Sequence, residues 1–245
     1  MKKTTVLIFG FLLAITSVNA QWWGGNKIKG NGNVVTDERK TSDYDQINVA
    51  GSLDVELFSG SEGNITVKAE ENLLEFIITE VKGNRLVIKV KDGHSLSPSI
   101  HNSILITVPF KDIELVSLAG SGDVYTRPNN IIKASSLKTS LAGSGDVKLE
   151  IDAEEVKASV SGSGDVSLMG GATKLTCSVA GSGDIHAFEL KAKDVEASVT
   201  GSGDIKIYCD GVLTAKVTGS GDIKYKGNPT KEESKTVGSG SVSKG

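Results

Sequence analysis

The sequence predicts an all-β chain wound as a parallel β-helix, or β-solenoid, of about 19–20 residues per coil. Three observations carry this reading. First, Gly-Ser-Gly-Asp-Val/Ile occurs six times, beginning at Gly120, Gly143, Gly162, Gly181, Gly201 and Gly219, and a degraded copy begins at Gly238. The steps between copies are 23, 19, 19, 20, 18 and 19 residues, the mark of a repeat architecture. Second, apolar and polar residues alternate before each copy, as in Val156-Lys157-Ala158-Ser159-Val160, and again after it, as in Val147-Lys148-Leu149. That is the period of a half-buried strand. Third, the aligned repeats carry like residues in like places. One inward column is Leu137, Val156, Leu175, Val195, Leu213, and the next is small: Thr139, Ala158, Cys177, Ala197, Ala215.

Such columns suit coils stacked about 4.8 Å apart, since one repeat cannot bury its apolar face alone. Seven coils would span roughly 30 Å. The crossover rule for parallel strands favours right-handed coiling. A propeller would need about 40 residues per blade. A barrel of hairpins would use the glycines as tight turns, but would not demand identical columns.

Taken in order, the chain begins with Lys2 and Lys3, an apolar run from Val6 to Ile15, and a small-residue site at Val18-Asn19-Ala20. This pattern predicts a signal peptide over residues 1–20, cleaved after Ala20. With no cysteine near the site, a lipid anchor on a new N-terminal cysteine is not expected. Residues 21–43 read as a flexible leader containing Trp22 and Trp23, a pair expected to pack locally or stay unordered.

The β-helix domain is expected over 44–227. Within it, 44–118 is β-rich but aperiodic, and is read as irregular early coils on the same core. Ala50-Gly51-Ser52-Leu53-Asp54-Val55 resembles a decayed corner there. Residues 119–227 form the regular coils: strand, glycine corner, strand, then a loop such as Ala153 to Glu155 or Asp210-Gly211. Residues 228–245 form a polar tail with the degenerate last repeat, which blunts the sheet edge.

The charge balance narrows the function classes. The chain has 27 basic and 30 acidic residues, a net charge of −3, which becomes −5 without Lys2 and Lys3. Nucleic acid would call for a basic face, so it is not an expected partner. After signal cleavage no segment is apolar enough to span a membrane as a helix. Cys177 and Cys209 either pair across neighbouring repeats or serve as two small buried hydrophobes.

The corner motif has two readings. Paired glycines suit a sharp corner, and aspartate caps backbone N–H groups in turns. Alternatively Asp123, Asp146, Asp165, Asp184, Asp204 and Asp222 form a ladder of carboxylates offered to a cation or a ligand. Calcium is the ion such oxygens would suit, although the known calcium-binding β-roll repeat is nine residues long. No cofactor is otherwise called for. A phosphate-loop reading fails, because no Lys-Ser/Thr follows the glycines and the motif occurs six times. His94 and His101 flank a serine-rich turn, and His186 faces outward from a coil. No catalytic triad or metal cluster can be assembled from these residues.

Two segments resemble a known family: Asp45-Gln46-Ile47-Asn48-Val49-Ala50-Gly51-Ser52-Leu53-Asp54-Val55, and Ile113 to Val124 together with the repeats that follow. They are similar to the putative auto-transporter adhesin head GIN domain family of Bacteroidetes, over about residues 44–227. The resemblance implies an exported β-helical domain with an adhesive role, and it brings no catalytic residues. An auto-transporter's membrane barrel is not seen after Gly221, so self-export is not expected.

The expected function is therefore that of an exported, non-enzymatic solenoid, periplasmic or extracellular. It would present a repetitive Asp/Ser/Gly surface to a glycan or a cell-envelope protein. The alternatives are a polysaccharide lyase or hydrolase on the same fold, and a purely structural spacer.

Overall fold

The computed structural model describes residues 26–245. The expected signal peptide, Trp22 and Trp23 lie outside the described residues.

The chain opens with β1 (Asn26–Lys29), β2 (Val34–Lys40), β3 (Gln46–Gly51), β4 (Asp54–Ser59) and β5 (Asn64–Glu70). A 3-10 helix, η1 (Glu71–Phe76), leads to β6 (Ile77–Lys82), β7 (Arg85–Val90), β8 (His94–Ser97) and β9 (Leu105–Phe110). The repeats then supply β10 (Leu115–Gly120), β11 (Val124–Thr126), β12 (Ile132–Gly143), β13 (Val147–Gly162), β14 (Val166–Gly181) and β15 (Ile185–Gly201). The last coils contain β16 (Ile205–Cys209), β17 (Val212–Gly219), β18 (Ile223–Lys226), β19 (Lys231–Gly238) and β20 (Val242–Lys244).

From β10 onward the structure is a β-solenoid with seven glycine corners, at Gly120, Gly143, Gly162, Gly181, Gly201, Gly219 and Gly238. Every pairing between successive coils is parallel, and the register places like on like. Leu137 lies beside Val156, Val156 beside Leu175, and Leu175 beside Val195. The predicted inward columns are buried. Each fully buried Val, Leu or Ile is worth about 1.5–3 kcal/mol, so stacking supplies the stability that one coil lacks. In the small column Thr139 is the exception: its buried hydroxyl has no partner among the described residues.

The expected loop at Ala153–Glu155 is strand instead. β13 runs unbroken from Val147 to Gly162, and Ala134, Ala153 and Ala172 stack in register.

The corner needs glycine for two reasons. Gly162 has φ 129°, and a Cβ there would lie 2.3 Å from the carbonyl oxygen of Gly143 one coil earlier. Gly164 would bring a Cβ to 2.0 Å from the oxygen of Gly145. Thus φ and close stacking fix the first glycine, and stacking fixes the second.

The early part departs from a simple coil. β3 and β4 do lie beneath the first regular coil: β3 pairs with β10 and β4 with β11, both parallel, and Gly51 sits below Gly120. Beyond them the sheet is mixed. β5 runs antiparallel to β9 and to β2, and β6 antiparallel to β7. Helix η1 joins β5 to β6 and buries Leu73 in the core.

From Asn26 the segment expected as flexible leader carries ordered strands. β1 pairs parallel with β8, and β2 pairs with β5. Polar ties hold this stretch. Arg39 donates to the carbonyls of Leu74 and Ile77, while buried Glu70 accepts from the N–H groups of Gly32 and Ser99 and from the Ser99 hydroxyl.

At the other end, Glu232, Ser234 and Thr236 occupy the positions held one coil earlier by Leu213, Ala215 and Val217. The last coil is thus polar where earlier coils are apolar, which discourages edge-to-edge pairing.

Candidate functional site

The structure brings the six aspartates of the repeat together in one row, and the row has a definite job. The Asp146 N–H donates to Oδ1 of Asp123 at 3.0 Å, and the Asp165 N–H to Oδ1 of Asp146 at 3.1 Å. The pattern continues from Asp184 to Asp165 (3.0 Å), from Asp204 to Asp184 (2.7 Å) and from Asp222 to Asp204 (2.8 Å). Each carboxylate therefore caps the corner of the next coil. The backbone completes the corner, with the Val147 N–H donating to the Asp165 carbonyl and the Ser163 N–H to the Gly143 carbonyl.

The ladder has ends. Asp54 starts it by accepting the Asp123 N–H at 3.2 Å. Burial pushes the Asp54 carboxyl up, the hydrogen bond from Asp123 works against that, and the Asp123 charge adds to the rise. The sequence signal for this position was the decayed corner at Ala50 to Val55, which lacks the second glycine. Ser241 closes the ladder: both its N–H and its hydroxyl donate to Oδ1 of Asp222 at 2.8 Å.

Among the described residues, Asp165, Asp184 and His186 form a three-group cluster with ligand atoms within 4.8 Å of one another. His186 Nε2 lies 3.8 Å from Oδ2 of Asp165 and 4.0 Å from Oδ2 of Asp184. All three are partly exposed, and Oδ1 of each aspartate is already engaged by a corner N–H.

The other singled-out residues are dispersed. His94 packs on Phe76 with ring centroids 4.8 Å apart, rather than standing free in a turn, and His101 is exposed with φ 73°. Cys177 and Cys209 are both free and buried, and burial pushes the Cys177 thiol up to about 12. They are two small core hydrophobes and do not form a bridge.

Repeat spacing alone did not reveal a cleft beside the first regular coil. The step from Gly120 to Gly143 is 23 residues, against 19 for the next. The extra length lies between β11 and β12, at Arg127 to Ile131, and beside it is a cleft of about 720 Å³. Tyr125, Thr126 and Lys148 line it together with Met169 from the next coil. Pro128 and Asn129 form one wall, and Asp123, Asp146 and Glu150 supply carboxylates.

The insertion is fixed in place. The Asn129 N–H donates to Oε2 of Glu150 at 3.1 Å, and the Glu150 N–H donates to Oγ1 of Thr126 at 3.0 Å. Arg127 bonds Oε2 of Glu56 at 2.6 Å, and its guanidinium lies 4.9 Å from the Phe58 ring centroid. The Tyr125 hydroxyl is raised by burial first and then by the charges of Glu56, Asp54 and Asp123, so it stays a neutral phenol at physiological pH.

Residues 43–229 match the family described as "Putative auto-transporter adhesin, head GIN domain". The chain belongs to this family. Its GIN domain is similar to the crystal structure of a putative adhesin from Bacteroides fragilis. That similarity is 27% identity and TM-score 0.78, over 89% of this chain and 99% of that one. A putative lipid binding protein from Parabacteroides distasonis is 30% identical with TM-score 0.72, over 90% and 100% of the two chains. A putative adhesin from Parabacteroides merdae, at 22% identity and TM-score 0.70, shares the fold. No curated protein matches the GIN domain in sequence.

Proposed function

We propose that this chain is an exported, non-enzymatic binding module of the cell envelope, an adhesin head that takes its ligand in the Tyr125 cleft. The observation that carries the reading is the cleft itself. The solenoid flank repeats coil by coil, and where one coil is longer a concavity opens with an aromatic ring, an amide wall and carboxylates. That size and mixture suit a ligand site. No cysteine, serine or histidine lines it, so it assembles no Ser-His or Cys-His nucleophile pair.

The ladder serves the site indirectly. Its Oδ1 atoms are committed to the corners, so the repetitive row acts as the frame and the irregular coil as the site. Membership of an adhesin family supports an exported binding role. The relative described as a putative lipid binding protein also points to binding rather than catalysis.

The test compares the mature chain with a Lys148→Trp variant, which puts a bulky side chain into the cleft from an exposed strand position, on a panel of envelope glycans and envelope proteins. A ligand bound by the native chain and lost by the variant is the expected result. Equal binding by both would refute the cleft, and recovery of the tagged chain in the cytoplasm would refute export.

A further inference from the structure

We infer that the Tyr125 cleft selects a glycan without acidic groups, an inference that rests on the cleft being the ligand site. The atoms left available in the cleft set the chemistry of its ligand. Oδ1 of Asp123 and Oδ1 of Asp146 are spent on corner N–H groups, and Oε2 of Glu150 is spent on Asn129. The second oxygens, Oδ2 of both aspartates and Oε1 of Glu150, hold no hydrogen bond to the described residues. Each is an acceptor only, so the cleft calls for a ligand rich in donors. Sugar hydroxyls are such donors.

The remaining groups narrow the class further. A phenol ring offers an apolar face with a polar tip, which matches the C–H face of a pyranose. Pro128 and Met169 extend the apolar surface beside Tyr125. The Tyr125 phenol is held neutral among carboxylates, so it can both donate and accept.

Charge provides the discrimination. The cleft holds three carboxylates against one ammonium, that of Lys148. Arg127, beside the cleft at the start of the insertion, is already paired with Glu56. A uronate or sulfated polymer would meet like charges at close range, and juxtaposed like charges reject wrong partners. Bonds to the corner and to the Asn129 N–H hold these carboxylates at the cleft.

The experiment is an amide-resolved NMR titration of the mature chain with chitotriose, mannotriose and trigalacturonate. An uncharged trimer is expected to shift the amides of Tyr125, Asn129 and Lys148, with trigalacturonate at least ten-fold weaker. Tyr125→Ala should weaken the uncharged trimer at least ten-fold, whereas Tyr125→Phe, which keeps the ring, should lose less than about three-fold. Asn129→Gly, which tolerates the positive φ at that position, gives an independent variant should Tyr125→Ala fail to fold.

Tighter binding of trigalacturonate, or an uncharged-trimer affinity indifferent to both Tyr125→Ala and Asn129→Gly, would overturn the inference. So would silence from both uncharged trimers at 10 mM, on the order of the weakest useful affinity. If the uncharged trimers fail while phospholipid vesicles or an envelope protein bind in a cleft-dependent way, the ligand class is wrong and the binding reading survives. If no ligand depends on the cleft, both fall.

Discussion

Replacing Asp204 separates capping from repulsion. Its Oδ1 accepts the Asp222 N–H at 2.8 Å, and its own N–H donates to Asp184. Asp204→Ala keeps the second bond and deletes the first. A hydrogen bond to a charged acceptor is worth about 1.5–3 kcal/mol. Against that loss stands relief of repulsion from the Asp184 and Asp222 carboxylates, one coil away on either side at a spacing of about 4.8 Å. Each such pair costs about 1 kcal/mol in water, and screening at physiological salt roughly halves it. The net expectation for Asp204→Ala is destabilisation by about 1 kcal/mol at physiological salt, rising towards about 2 kcal/mol in 1 M salt, where repulsion is already screened. Asp204→Asn retains an oxygen acceptor and loses the charge, so its two effects nearly cancel. Urea unfolding at two salt concentrations measures the difference, and hydrogen exchange at the Asp222 amide reports the lost bond directly. An alanine variant as stable as the native chain at both salt levels, with Asp222 exchange unchanged, would refute the capping role.

Two further perturbations probe the frame. Gly181→Ala would place a Cβ 2.4 Å from the Gly162 oxygen at φ 131°, whereas Gly171→Ala meets nothing within 4 Å. The first should cost on the order of 3 kcal/mol from strain and overpacking, the second close to nothing, and thermal melts of the two variants check the contrast. Glu70 is the second case. Hydrogen bonds from the Ser99 hydroxyl, and then from the Ser99 and Gly32 amides, hold its carboxyl below the ordinary range. Its stabilising effect is therefore complete above the unfolded glutamate pKa of about 4.3 and is lost as pH falls through the lower folded value. The melting-temperature gap between native chain and Glu70→Gln should stay flat from pH 8 to 5 and narrow below about pH 4.3. A gap independent of pH would remove Glu70's charge from the explanation.

Much of the solenoid was legible because its physics is periodic. Stacking puts Val160 on Leu141 and Val179 on Val160, so the sequence must repeat volumes at one interval. The same logic exposed the six aspartates, although only the coordinates show their Oδ1 atoms turned to the next N–H. The early strands were less legible because polar contacts distant in sequence hold them. Nothing in the pattern of β2 says that Arg39 will reach the carbonyls of Leu74 and Ile77, or that Glu70 will anchor Gly32. The cleft lay between these cases. The long step of 23 residues marks an insertion, but its shape depends on Asn129 adopting φ 64° and binding Glu150, a local bond that no repeat encodes.

Through-hydrogen-bond NMR couplings read the ladder directly. In isotope-labelled protein, the amide nitrogens of Asp146, Asp165, Asp184, Asp204, Asp222 and Ser241 should each correlate with the side-chain carboxylate carbon of the aspartate one coil earlier. These correlations should persist unchanged on adding calcium. Their absence, with the carboxylate carbons shifting together as calcium is titrated in, would show the ladder to be an ion site and not the set of caps that hold the coils in register.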